Sequence, residues 1–247
     1  MQFDLLGTSV RVIGTLHAVP QGGVGWEAAV RQAVTWSERI VLEMTPESGK
    51  SLMISPAYAS TSTLNPGLLE QLKSIWLAGV SPMAECNLIT AWLVACFNGI
   101  NSERGVEGLI GEMLDETPRP VIGLESAEDF LAAFDDVSAA EVEKAICMPL
   151  SDASRNAAMF RAFYNAWRNA DRVTLAKLTG AQLPKLGRMQ QALYDRRNKA
   201  WAPKISEFTK QSAKTLIAVG AGHLCGKNNL LEVLERGYGL KSKRSPA

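Results

Sequence analysis

The sequence predicts an α/β protein whose central mixed sheet is built from N- and C-terminal segments around a large helical insertion. Short β-branched runs recur near both ends of the 247-residue chain, at residues 10–13, 40–42, 121–124 and 215–219. Stripes of helical period lie between them. From 127 to about 210 nearly every segment reads as helix, so strands far apart in sequence have to meet in one sheet. A single domain over 1–240 with that insertion, followed by a solvated basic tail at 241–247, accommodates the pattern.

Along the chain, residues 3–6 and 10–13 flank Gly7, Thr8 and Ser9 and read as a hairpin or two successive strands. Trp26, Ala29, Val30, Ala33 and Val34 form the apolar stripe of a helix that ends before Ile40, Val41 and Leu42, completing a β-α-β unit. Residues 51–66, rich in Ser, Thr, Pro and Asn, read as a long loop. Helical patterns resume at 68–77, 88–97 and 106–114, and Pro118 and Pro120 stop them ahead of the strand at 121–124. Stripes at 156–167, 172–178 and 186–208 fill the insertion, with Gly180 and Pro184 as punctuation. The last strand leads to a helix at 226–236. Trp92, Phe97, Phe160, Phe163 and Trp167, at helical spacing, are expected in the core.

Composition narrows the function classes. With 47% hydrophobic and 21% charged residues the chain is globular, and 26 basic against 25 acidic side chains leave no charge excess for nucleic-acid binding. The nearly apolar stretch 88–97 is half of the roughly 20 residues a membrane span needs, and the first residues lack a signal-peptide pattern. A cytoplasmic protein without a membrane partner is expected. The cysteines at 86, 96, 147 and 225 are expected as buried free thiols. Charge is nonetheless segregated: 103–143 holds 12 acidic and 2 basic residues, 155–204 holds 11 basic and 2 acidic. This fits two solvated surfaces that attract weakly, or a basic arm walling a pocket for acidic substrates.

The only two histidines each close a Gly-x-x-His element after an apolar strand, at Gly14-Thr15-Leu16-His17 and Gly220-Ala221-Gly222-His223. With 20 glycines in the chain, chance would put Gly three residues before both in about 0.7% of arrangements, so the pattern asks for a cause. Strand ends in α/β sheets are where sites assemble, and Gly14, Gly220 and Gly222 let the backbone approach a bound group. Glu43 and Glu125 form a second matched pair, each ending an apolar run in Leu-Glu. A buried carboxylate has to be solvated, paired or bound to a cation. Two neutral imidazoles with one or two carboxylates suit a divalent transition metal; helix capping or arginine pairing also suits the glutamates. The run from Gly220 to Gly226 misses the dinucleotide fingerprint by one residue, and 21–25 lacks the lysine of a phosphate loop.

Gly14-Thr15-Leu16-His17, Glu43, Gly105-Val106-Glu107, Gly123-Leu124-Glu125, Arg197-Asn198 with Trp201, and the run from Ala218 to His223 resemble, as an ordered set, the TraB/GumN family. Glu107 is more often Asp in that family, and Asn229 stands where Gly is frequent. The resemblance implies an α/β fold related to the erythromycin-esterase and ChaN-like proteins. Its Tiki branch implies a divalent-metal-dependent peptidase using both Gly-x-x-His motifs and a glutamate. On that basis His17 and His223, with Glu43 or Glu125, hold Mn, Co or Zn, and the other glutamate accepts a proton. Arg197 then pairs with a site glutamate or a substrate carboxylate, and Asn198 fixes polar groups. Adjacent in a helix, the two point about 100° apart and are not expected to share a contact. The expected substrate is a peptide or related amide or ester, acidic if the basic arm walls the pocket. A non-catalytic peptide- or ligand-sequestering protein and a metal-free esterase-like hydrolase with His as base are the alternatives.

Overall fold

The computed structural model describes residues 1–54, 60–75, 86–182 and 187–245. Its strands are β1 (Gln2–Leu5), β2 (Val10–Thr15), β3 (Ala18–Pro20), β4 (Arg39–Leu42), β5 (Ser102–Arg104), β6 (Val121–Gly123), β7 (Thr215–Gly220) and β8 (Ser242–Arg244). Six form one sheet in the order β6-β4-β7-β2-β1-β8. In it β6, β4, β7 and β2 are parallel, and β1 and β8 add antiparallel at the β2 edge. The four β-branched runs therefore share a sheet, as expected, and the first pair is a hairpin turning through Gly7 at φ +76°.

Three short strands escape the sequence pattern. β3 and β5 pair in a separate ribbon, and β8 zips onto β1 by matching Phe3 with Arg244 and Leu5 with Ser242. The tail expected to be wholly solvated is thus tethered through its backbone, while the Lys243 and Arg244 side chains stay exposed. These three, Ala-Val-Pro, Ser-Glu-Arg and Ser-Lys-Arg, are made by their partners, not by a hydrophobic run of their own.

The helices are α1 (Glu27–Trp36), α2 (Pro46–Ile54), α3 (Pro66–Ile75), α4 (Leu88–Ala95), α5 (Val106–Glu116), α6 (Ala127–Ala132), α7 (Ala139–Ser151), α8 (Ala153–Arg168), α9 (Arg172–Gln182), α10 (Gly187–Gln190), α11 (Arg197–Thr209) and α12 (Leu230–Tyr238). A π-helical turn, Gln191–Arg196, joins α10 to α11. The stretch read as a loop at 51–66 is helical up to Ile54 and forms a 3-10 turn at Thr61–Thr63, and 55–59 lie outside the described residues. So do 76–77 and Pro184. The last helix starts at Leu230, later than expected. Gly226 and Asn228 turn the chain at φ +77° and +58°, and Asn229 then caps the helix by accepting from the Glu232 N–H.

The parallel strands are covered on both faces, and their period of two sorts the core. Leu216 and Ala218 of β7 pack with Val30, Val34, Leu109 and Trp167, whereas Ile217 and Val219 pack with Trp201, Ile205 and Leu234. A third cluster, including Leu72, Ile89, Trp92, Phe134, Ile146 and Met189, contains no strand residue and joins helices to one another. Arg196–Asp136, Lys204–Asp129 and Arg188–Glu141 link the basic and acidic segments at 2.6, 3.9 and 4.0 Å. Cys147 is exposed, against expectation. Among the described residues no helix is long and apolar enough to cross a membrane.

Gly105 locks α5 onto the strand end at His17. Its N–H donates to the His17 carbonyl (3.1 Å), and that of Val106 donates to the Leu16 carbonyl (2.8 Å). A Cβ on Gly105 would overlap the Leu16 carbonyl oxygen, whereas one on Gly111, in the same helix, meets open space. Gly105→Ala should therefore cost at least about 2 kcal/mol in urea denaturation, with Gly111→Ala neutral or stabilising by about 0.5–1 kcal/mol. Equal effects would contradict this docking.

Candidate functional site

The parallel register brings four strand ends to one edge. Thr15 lies opposite Gly220, and Leu42 opposite both Ala218 and Gly123. Beyond those ends the chain delivers His17, Glu43, Glu125 and His223, at the carboxyl edge where open parallel sheets gather their sites. Leu124 N–H to Leu42 O and Glu125 N–H to Glu43 O, both 2.9 Å, continue the ladder and bring the two glutamates side by side.

Arg197 reaches this edge from the start of α11 with its side chain only 4% exposed. Its Nε donates to Glu125 Oε1 (2.9 Å) and Oε2 (3.1 Å), Nη2 to Glu43 Oε2 and Glu125 Oε1 (both 2.5 Å), and Nη1 to the Leu193 carbonyl (3.0 Å). Trp201 Nε1 adds a donor to Glu125 Oε2 at 3.1 Å. The guanidinium stacks over Trp201 and Phe130, 4.6 and 4.9 Å from their ring centroids. Arg197 is therefore no surface cation; it binds both glutamates.

Burial opposes ionisation of Glu43, yet Arg197, His223, His17 and the Gly220 N–H together hold its pKa at about 2. For Glu125 burial prevails: its pKa is raised, although Arg197 and Trp201 favour the carboxylate and Glu43 adds to the rise. One guanidinium shared by two carboxylates away from water sets their pKa values apart, with Glu43 lowered and Glu125 raised. Both Glu125 oxygens are engaged by Arg197 and Trp201, so this carboxyl supports the arginine. Glu43 instead faces the histidines.

His223 is buried and held at both nitrogens. Asn198 Nδ2 donates to the Asn228 carbonyl (3.0 Å), which makes Asn198 Oδ1 the acceptor that meets His223 Nδ1 at 2.7 Å. The ring thus carries its proton on Nδ1. Its Nε2 keeps a lone pair, facing the Arg197 Nη1 donor at 3.2 Å and lying 3.6 Å from Glu43 Oε1. Burial drives the pKa down to about 3, with Glu43 opposing and Arg197 and His17 assisting. Arg197 and Asn198, expected to have separate contacts, grip opposite nitrogens of one ring; their divergence is what lets them flank it. Trp201 packs tilted against the ring and Tyr194 edge-on, at centroid distances of 4.5 and 5.1 Å.

The three glycines expected to admit a ligand admit protein instead. A Cβ on Gly14 would meet Met1 Cε at 2.8 Å, on Gly220 Glu43 Oε1 at 3.2 Å, and on Gly222 the Tyr194 ring at 2.6 Å. The Gly220 N–H also donates to Glu43 Oε1 (2.6 Å). These glycines shape the cluster by letting neighbours approach.

His17 lies outside it, with its ring 74% exposed. Its Nδ1 is 3.2 Å from Glu107 Oε1, to which Thr15 Oγ1 also donates at 2.5 Å. Glu107 raises the His17 pKa, Glu43 adds to this and Arg197 opposes it. Glu107, Thr15, Trp201 and Tyr194 were not among the expected site residues. Gly105-Val106-Glu107 was the signal available for the first: a glycine that docks a helix start, followed by an acid in the first turn.

A cavity of about 370 Å³ opens beside His17 and Tyr194, with Trp92, Phe97, Met148, Met159, Phe160 and Phe163 in its walls. Phe97, Phe160 and Phe163 are only half-buried and line it; Trp92, also in its wall, is buried in the core as expected, and so is Trp167. The basic arm does wall the cavity, but with its apolar side: among the described lining residues Arg155 is its one arginine.

Two ligands about 2.1 Å from one ion and 90–110° apart lie about 3.0–3.4 Å from each other, close to the 3.6 Å between His223 Nε2 and Glu43 Oε1. The nitrogen is unprotonated, as a metal requires. Its competitor, Arg197 Nη1, has a second acceptor in the Leu193 carbonyl. A third donor would have to come from His17, whose exposed ring lies outside this pair, since both Glu125 oxygens are engaged by Arg197 and Trp201. Among the described residues no three His, Cys, Asp or Glu stand preassembled as a metal cluster. A sequence profile of the TraB/PrgY/gumN family matches residues 5–241. No curated protein and no solved structure matches the chain.

The His223 pKa of about 3, against 6.5 when exposed, gives the site a pH signature. Between those values the unfolded chain binds the extra proton, so stability is fully present above about pH 6.5 and is lost as pH falls toward 3. His17 acts with the opposite sign, its contribution being lost as pH rises through its raised pKa, and its exposure keeps the effect small. In metal-free urea titrations the His223 contribution should fall by about 2 kcal/mol from pH 7 to pH 5. His17→Ala should keep that loss and His223→Gln should remove it; the same slope in both variants would contradict a buried neutral His223.

Proposed function

The match spans nearly the whole chain, so the protein belongs to the TraB/PrgY/gumN family, and from that premise we propose that it hydrolyses an amide bond of a peptide or related substrate with the help of a divalent ion. One observation carries the reading. A buried neutral imidazole, His223, stands beside an ionised glutamate, and both histidines of the strand ends are oriented through Nδ1, His223 by Asn198 and His17 by Glu107. A partner on Nδ1 leaves Nε2 as the working nitrogen, the usual arrangement of imidazoles that bind metals.

His17, His223 and Glu43 would hold the ion. When bound, it lowers the pKa of a water and polarises the amide carbonyl. Glu43, ionised down to about pH 2, contributes charge, since so weak a base takes up no proton at neutral pH. Arg197 keeps it ionised, and Glu125 offsets the arginine's own charge. Trp201 and Tyr194 help to shield His223 from water, and Glu107 orients His17, which lines the cavity.

Metal-free hydrolysis is the second reading, favoured by the Arg197 Nη1 contact on His223 Nε2 and by the exposed His17–Glu107 pair. There His17 Nε2 takes the proton of the attacking water, and Glu107 stabilises the imidazolium that forms. The readings differ in what His17 does. Metal analysis of protein purified without chelator, beside cleavage of a peptide library with and without added Mn²⁺, Co²⁺ or Zn²⁺, separates them. The first reading expects bound metal that is lost in His17→Ala and in His223→Ala, and cleavage that follows the added ion. Cleavage that survives EDTA and disappears in Glu107→Gln would replace it with the second.

A further inference from the structure

We infer that the cavity beside His17 is the specificity pocket of this site and takes a large apolar group attached to the scissile amide; the inference rests on the hydrolytic reading above. Its volume of about 370 Å³ lies within the range of ligand pockets. Helices packed only for stability leave few voids larger than a water molecule. Yet α4, α7 and α8, well packed on their other sides through Ala91, Ile146 and Trp167, leave carbon uncovered here. Met148 on α7 is 40% exposed, and Phe160 and Phe163 on α8 are only half-buried.

Most polar side chains of the lining are already engaged. Asn156 Nδ2 donates to the Cys96 and Asn98 carbonyls (2.9 and 2.8 Å), Ser151 Oγ to the Met148 carbonyl (2.9 Å), and Asp152 Oδ1 accepts from the Arg155 N–H (2.9 Å). The polar edge of the pocket is left to His17, Tyr194 and the exposed Arg155. A ligand therefore meets mostly apolar carbon in the walls, with His17 the one candidate catalytic group among the described lining residues. That geometry suits an amide whose neighbouring group is bulky and apolar, in place of the acidic substrate that the basic arm suggested.

An acyl chain and a hydrophobic peptide side chain both present such a group, and two probe series tell them apart. One runs from N-acetyl- to N-octanoyl-glycinamide, the other from N-acetyl-alaninamide to the leucine and phenylalanine amides. Binding to the intact protein is read by calorimetry, which needs no turnover. At least one series should gain about 3- to 4-fold in affinity per added methylene until the pocket is full. Met148→Glu, a charge at an exposed wall position, should abolish the gain without shifting the unfolding temperature, and Met159→Trp should end the series earlier by filling the pocket. Gain in the acyl series assigns the pocket to an acyl chain, and gain in the amino-acid series to a side chain. Flat affinity in both, or a gain that survives both variants, overturns the inference. Chain-length-dependent binding without cleavage removes hydrolysis and keeps the pocket. Cleavage indifferent to chain length removes the pocket and keeps hydrolysis.

Discussion

A guanidinium with its side chain 4% exposed, held between two carboxylates at the edge of a parallel sheet, is the contact on which the site depends. Carboxylates at buried strand ends are costly without a cation, since each charge taken from water carries a penalty of several kcal/mol. Arg197 supplies that cation to Glu43 and Glu125 at once. The consequences run outward. Glu43 stays ionised despite burial, whereas burial, with the neighbouring Glu43 adding to it, raises the pKa of Glu125. His223, beside the same guanidinium and cut off from water, stays neutral.

The sheet has to be what it is for this to happen. Glu43 and Glu125 lie side by side because β4 and β6 are parallel neighbours whose ladder continues two bonds past the strands. His223 reaches them because β7 pairs with β4, and His17 joins from β2 on the other side of β7. Arg197 and Asn198 arrive together from the helical insertion, directly after the π-helical turn. Wide turns of that kind recur at functional sites.

What could be read from the sequence follows where the physics is local. The four apolar β-branched runs announced the parallel strands, and the repeated Gly-x-x-His and Leu-Glu endings announced the strand-end residues. The partition of roles between Glu43 and Glu125 was not legible, because both end similar runs and only the position of Arg197 and Trp201 distinguishes them. What approaches the glycines was not legible for a related reason: a missing Cβ signals close approach, but the sequence does not say that Tyr194 or Glu43 is the group approaching. Phe97, Phe160 and Phe163 have the spacing of core residues, and a helix face that lines a cavity has the same period as one that lines a core. β3, β5 and β8 depend on partners distant in sequence, which no local pattern encodes.

The central claim is that burial, assisted by the Arg197 guanidinium, holds His223 neutral and that Asn198 keeps its proton on Nδ1. With only two histidines in the chain, long-range ¹H–¹⁵N spectra of histidine-labelled, metal-free protein report it directly, the His223→Gln variant assigning the signals. The account predicts that His223 gives the pattern of the neutral Nδ1–H tautomer and keeps it at pH 5.5, where an ordinary imidazole is mostly protonated. An Nε2–H tautomer, or an imidazolium at that pH, would contradict it.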